Sequence, residues 1–211
     1  MVTNKLENFL IYIKTMIGKN IPLLKKICET QGTSVPITFR TLFFQKILGF
    51  NRDAYWPMHF TSWANPVENI LIGVGTAPGL SPGCYIQAIG KVIFGNYTLI
   101  GPNVGIISAD HDLYDHRTHI GSAIRIGNYC WIGMNTVILP GVQLGDFTIV
   151  GAGSIVTRSF PKGYCVIAGN PAAKIKDLEK DQCKKYFDKY ESVGYIEKDD
   201  FKEYREKRLN V

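Results

Sequence analysis

Between Ile124 and Thr157 an aliphatic residue returns every six positions, at Ile126, Ile132, Ile138, Leu144, Val150 and Val156. Gly127, Gly133, Gly145 and Gly151 directly follow four of them. Six residues at roughly 100° apiece would set successive aliphatics about 240° apart and smear them round a helix, so the period is not helical. Two residues before each aliphatic stands a second, smaller or branched position: Ile124, Cys130, Thr136, Val142, Thr148 and Ser154. That is the inward alternation of a very short strand. The intervening Gly, Asn, Asp and Pro supply turns. Short strand, turn, short strand, turn describes a mainly β solenoid, in which each unit buries its apolar face only by stacking on the next.

The beat begins imperfectly near Glu68, is interrupted by Pro78, Gly79, Pro82 and Gly83, and resumes at Phe94, Ile100 and Ile106. From Ile106 to Ile126 the distance is 20 residues rather than 18, so a loop over 107–123 must leave the coil. It contains His111, His116 and His119, and insertions in a regular solenoid tend to fall on a functional face. Upstream, residues 4–30 read as one or two short amphipathic helices carrying Leu6, Phe9, Leu10, Ile13, Ile17 and Ile21, with breaks at Gly18 and Pro22. Packing on the solenoid or a neighbouring subunit is favoured over a membrane-surface role for them. Leu42, Phe43, Phe44, Ile47 and Leu48 suggest a short buried element, and Tyr55, Trp56 and His59 an aromatic approach to the solenoid. Residues 177–210 read as two amphipathic helices split near Gly194, serving as a solenoid cap or trimer contact. The division is therefore 1–64 helical and irregular, 65–176 solenoid, and 177–211 a helical tail.

At 211 residues, the chain suits one main domain with appendages. A formal charge of +6 suits an anionic partner, but no nucleic-acid motif is present and the lysines concentrate at the two ends. A phosphate-rich small molecule such as coenzyme A or a nucleotide sugar fits the charge as well, and most of the lysines simply solubilise. Cys28, Cys84, Cys130, Cys165 and Cys183 are scattered without Cys-x-x-Cys spacing, which argues against a disulfide framework or a zinc site. Cys130, on an inward position, reads as a small buried hydrophobe. The apolar patch Phe9–Ile13 is too short for a signal peptide and is followed at once by Lys14. No window reaches the roughly 18 to 20 apolar residues that span a bilayer, so a cytoplasmic location is expected.

The repeats, together with the Gly169-Asn170-Pro171-Ala172 segment beyond them, resemble the hexapeptide-repeat acyltransferases. That family includes the galactoside, maltose, serine and xenobiotic acetyltransferases. The resemblance covers residues 65–176. It implies a left-handed parallel β-helix with three hexapeptides per coil, a homotrimer, and acetyl-CoA lying in the groove between subunits with no metal required. The left hand comes from the resemblance alone, since β-crossovers are ordinarily right-handed.

His111, in Ser-Ala-Asp-His-Asp-Leu-Tyr-Asp, resembles the family's catalytic histidine. A sugar hydroxyl is a poor nucleophile, and a neutral imidazole can take its proton as it attacks a thioester. His116 and His119 read as loop or surface residues. A carboxylate or carbonyl on the second ring nitrogen would improve the base. Asp110 and Asp112 are candidates for that place, Asp112 preferred, and either could equally cap the loop. Gln87 is sought as the oxyanion donor, the alternative being an ordinary outward polar residue, while Asn96 and Asn103 read as turn residues. Trp131 must face outwards between inward Cys130 and Ile132, and it matches the family's tryptophan near the pantetheine end. Gly151, Ala152 and Gly153 leave room for a pantetheine arm, and Lys174 is placed to meet nucleotide phosphates, ahead of Arg158 and Lys162. These glycines are also what any tight coil needs. The expected reaction is acetyl transfer to a sugar hydroxyl in surface-polysaccharide or glycoconjugate synthesis. Alternatives are amino-sugar N-acetylation, a serine or xenobiotic acetyltransferase, and a non-catalytic β-helix scaffold.

Overall fold

A computed structural model describes residues 22–211. The six-residue beat folds as about five coils of parallel β-solenoid. Coil one holds β1 (Trp63–Asn65) and β2 (Ile70–Leu71), and its third side, with Pro78, Gly79, Pro82 and Gly83, carries no strand. Coil two holds β3 (Tyr85–Gln87), β4 (Val92–Phe94) and β5 (Leu99–Ile100). Coil three starts with β6 (Gly105–Ile107), leaves the solenoid through β7 (Ala109–His111) and β8 (His119–Gly121), and resumes with β9 (Ile124–Ile126) and β10 (Trp131–Ile132). Coil four holds β11 (Val137–Ile138), β12 (Gln143–Leu144) and β13 (Thr148–Val150). Coil five holds β14 (Ile155–Val156), a bridge at Phe160 and β15 (Cys165–Gly169), on which β16 (Ala172–Asp177) folds back antiparallel. Stacked coils give three sheets: first β1-β3-β6-β11-β14, second β2-β4-β9-β12, third β5-β10-β13-β15-β16.

Both positions of the repeat point inwards. Ile126, Ile132, Ile138, Leu144, Val150 and Val156 are buried, and so are Ile124, Cys130, Thr136, Val142, Thr148 and Ser154. The hydroxyls among them are tolerated because they close corner carbonyls: Thr148 donates to Gly145 at 2.7 Å and Ser154 to Gly151 at 2.6 Å. The glycine after the aliphatic has a steric cause, since a Cβ on Gly127 would lie 2.6 Å from the Asp146 nitrogen of the next coil. Burial pushes the Cys130 thiol up to about 12, which leaves it chemically inert near neutral pH.

At the corner between the second and third sheets, Tyr97, Tyr129, Phe147 and Tyr164 adopt left-handed backbone with φ of 54°, 54°, 55° and 48°. Their rings stack one coil apart, with centroids 5.4, 4.9 and 5.2 Å from neighbour to neighbour. Asn96, Asn128 and Asp146 just before them form a second ladder. Their Oδ1 atoms accept the N–H groups of Val74, Asn96 and Asn128, each at 2.8 Å. Side-chain acceptors there satisfy main-chain donors that the tight corner leaves open.

Before the solenoid come α1 (Pro22–Glu29) and α2 (Phe39–Leu42), the latter running into a π-helical turn, Phe43–Ile47. Most of the helical stretch expected over 4–30 lies outside the described residues. Lys26, buried on α1, pairs with Glu29 at 3.3 Å and with Glu197 at 2.9 Å, tying α1 to the segment after the solenoid. The expected buried element at 42–48 is corrected. Leu42 is buried, but Phe43, Ile47 and Leu48 are exposed, because the inward position of the π turn belongs to Gln45. The Gln45 amide donates to the carbonyls of Asn51, Ala54 and Trp56, while its oxygen accepts from Met58 N–H and the Tyr195 hydroxyl. Tyr55 and Trp56 join the core.

Beyond β16 one helix forms, α3 (Phe201–Arg208), where two were expected. It follows a hairpin of β17 (Ser192–Val193) and β18 (Ile196–Glu197) that turns at Gly194. Residues around 186–188 spend their main-chain groups on the aromatic corner instead of a helix. The Tyr129 hydroxyl donates to the Tyr186 carbonyl at 3.0 Å, and Asp188 N–H donates to the Tyr97 hydroxyl at 3.1 Å.

Candidate active site

The excess of residues between Ile106 and Ile126 emerges as an antiparallel hairpin at the corner joining the first and second sheets. Ala109 faces Gly121, Asp110 faces Ile120, and His111 faces His119. Its root is fastened to the coils: Ser122 N–H donates to Ser108 O at 2.7 Å, and the Ser108 hydroxyl donates to Gln87 O at 2.8 Å. Its turn is held internally. Asp112 Oδ1 accepts the N–H groups of Tyr114 at 2.8 Å and Asp115 at 2.9 Å, and Asp115 accepts from the Arg117 guanidinium. The two N–H donors hold the Asp112 carboxyl below the usual carboxylate range.

His111 stands at the end of β7, exposed, with Nδ1 against the main-chain oxygen of His116. A carbonyl oxygen can only accept, so Nδ1 carries the hydrogen and the lone pair lies on Nε2. The group on the second nitrogen is thus a carbonyl of the same loop. This corrects the preference for Asp112, whose carboxylate is committed to capping the turn. His116 escaped sequence reading because its contribution is main-chain and carries no residue signature. The His119 ring lies 4.3 Å from that of His111.

His111 is in the wall of an open cleft of about 630 Å³, lined by the hairpin from Asp110 to Tyr114 with Ile120, Ser122 and Pro140. Gln87 ends β3 at the hairpin root, where its Oε1 accepts Ala109 N–H at 2.9 Å. The carboxamide is thereby oriented, and its N–H groups have no protein partner among the described residues.

Trp131 lies elsewhere. It is on β10 in the third sheet, 55% exposed between fully buried Cys130 and Ile132. The Gly151–Gly153 turn follows β13, and Lys174 lies on β16, so these expected cofactor contacts share that sheet. Gly151 is occupied by coil packing, since a Cβ there would meet Ala168 at 2.9 Å, whereas Gly153, at φ +71°, has open space around it. Lys174 pairs with Asp177 at 2.8 Å, which raises its pKa. In a triangular coil the third sheet is the side opposite the hairpin's corner. One subunit therefore does not bring His111 and Trp131 to a common surface. Among the described residues, no group of three or more His, Cys, Asp or Glu is arranged to hold a metal ion.

Comparison with known proteins bears on the repeats first: residues 123–158 match the family model of the bacterial transferase hexapeptide (six repeats). A 75-residue stretch is 44% identical to nodulation protein L of Rhizobium meliloti, covering 34% of this chain and 41% of that protein. Nodulation protein L of Rhizobium leguminosarum bv. viciae is 39% identical over 75 residues, covering 34% of this chain and 40% of its own length. The chain thus spans about two fifths of the relatives it matches. In structure, the chain superposes on a maltose O-acetyltransferase from Clostridium difficile with a TM-score of 0.57 at 24% identity, covering 81% of this chain and 89% of that one. It also superposes on a hexapeptide-repeat acetyltransferase from Vibrio cholerae, complexed with acetyl coenzyme A, with a TM-score of 0.50 at 21% identity, over 75% and 86% of the chains. These are likenesses of fold, and the fold class is the left-handed parallel β-helix.

Proposed function

We propose that the protein is a cytoplasmic, acetyl-CoA-dependent O-acetyltransferase that moves an acetyl group onto a sugar hydroxyl of a polysaccharide or glycoconjugate. The observation that carries this reading is the bond from His111 Nδ1 to the His116 carbonyl, which leaves Nε2 as a base in the wall of the cleft. Nε2 takes the hydroxyl proton as the oxygen attacks the thioester carbonyl. The tetrahedral oxyanion accepts from the free amide of Gln87, then collapses with loss of the C–S bond, and the departing thiolate takes the proton back from the imidazolium. Asp112 keeps the turn that presents the His116 carbonyl.

Acetyl-CoA would run over Trp131, with its pantetheine beside Ala152 and Gly153 and its phosphates near Lys174 once that residue releases Asp177. Because His111 and Trp131 occupy opposite sides of one coil, the reading requires a second copy to complete each site, and a homotrimer supplies three. The hexapeptide match supports group transfer as the reaction class.

The test is thiol release from acetyl-CoA by the full chain against nucleotide sugars, free hexosides, amino sugars and serine, with His111→Ala alongside. Release with a hydroxyl acceptor that the variant lacks supports the reading. Release only with amino sugars, or near-normal turnover in His111→Ala, overturns it.

A further inference from the structure

The segment before the solenoid presents its side chains the wrong way round for a globular surface. A surface helix ordinarily turns its apolar stripe to the core. Here Gln45, 1% exposed, is the inward anchor of the π turn with its amide fully bonded, and the outward stripe is Phe39, Phe43 and Ile47 at 61%, 50% and 68% exposure. Leu48 and Phe50, 51% and 47% exposed, extend it. The patch is backed by a rigid cluster: Phe44 stacks on Phe60 at 4.3 Å, and Phe50 lies 6.2 Å from both rings. Its charged residues are Arg40, Lys46 and Arg52, against Asp53 alone. Arg40 sits over the Phe60 ring and Lys46 over Tyr195.

We propose that this patch docks the protein on a bilayer surface bearing anionic phospholipid. Exposed phenylalanine, isoleucine and leucine enter the boundary between headgroups and acyl chains, while the flanking cations meet lipid phosphates. Charge decides between this occupant and a two-fold pairing with a second copy of the chain. An isologous pairing through the patch would set Arg40 and Arg52 against their own images, whereas an anionic lipid surface complements them.

Co-sedimentation of the full chain with phosphatidylcholine vesicles, with and without phosphatidylglycerol, tests the proposal. Binding is expected only to the phosphatidylglycerol vesicles, and it should weaken as salt rises. Phe43→Glu combined with Ile47→Glu, both at exposed positions, should abolish binding with an unchanged circular dichroism spectrum. Arg40→Gln and Arg52→Gln should each weaken it about 5-fold, from roughly 1 kcal/mol per cation at the surface. Three results overturn the proposal: no vesicle binding by the parent chain, undiminished binding by the double variant, or a smaller sedimenting species in the double variant, which would make the patch a contact between copies.

Discussion

Two corners of the same triangle are built from one repeat and end in opposite states. At the junction of the second and third sheets, Tyr97, Tyr129, Phe147 and Tyr164 stack through successive coils, and the segment around Tyr186 lies over them. At the junction of the first and second sheets the repeat is broken open, and the emerging hairpin exposes Leu113 and Tyr114 at 82% and 97%. The stacked corner joins coil to coil. The open one is bonded mainly within itself, through Asp112, Asp115 and the His116 carbonyl. Stability and candidate chemistry are therefore carried by different corners, and each can be changed with little cost to the other.

The largest effect that sharpens this contrast is catalytic. His111→Ala should lower kcat by on the order of 100-fold or more with an unmoved melting temperature, because its ring supports nothing in the solenoid. A large fall in melting temperature would break the comparison. Tyr129→Ala should do the reverse, costing about 2 to 3 kcal/mol in denaturant unfolding through lost stacking on Tyr97 and Phe147, with little change in the turnover of what remains folded.

Trp131→Ala should raise the KM for acetyl-CoA about 10-fold at constant stability, and an unmoved KM would assign that residue to contact between copies. Asp112→Ala removes the turn cap and should lower kcat about 5-fold while substrate KM holds, as the His116 carbonyl loses its fixed position.

The smallest effects are in pH, and the two corners should respond at opposite ends. The Asp112 carboxyl is depressed in the folded chain, so the order it contributes is full above the ordinary 3.8 and fades as pH falls through its lower folded value. Tyr114 and Asp115 amide resonances should report that loosening. Burial raises the Tyr97 hydroxyl to about 12, so its contribution is full below the ordinary 10.0 and is lost as pH rises through about 12, read as alkaline loosening of the aromatic corner.

What could be read in advance follows from how each feature is encoded. The inward residues of the repeat were legible down to single positions, because a strict period has one geometric solution and Cys130, Thr136 and Ser154 obey it. The aromatic ladder was not, since its members recur once per coil amid an insertion and only stacking makes Tyr97 and Tyr129 neighbours. Of the two helices that spacing over 177–210 suggests, the one before Gly194 is absent, because amphipathic spacing is also what a segment draped on the aromatic corner needs. Phe43 and Ile47 were assigned to the interior on hydropathy, and Gln45 holds that place by hydrogen bonding instead.

From the chain's spacing alone came the solenoid and the place where the hairpin leaves it. These rest on local repetition and on register, which a chain carries in its spacing. Only the tertiary structure decided that a main-chain carbonyl holds His111, that Asp112 is a cap, and that Trp131 lies across the coil from the hairpin. Those are relations between residues distant in the chain or expressed through the backbone, and no one-dimensional pattern records them.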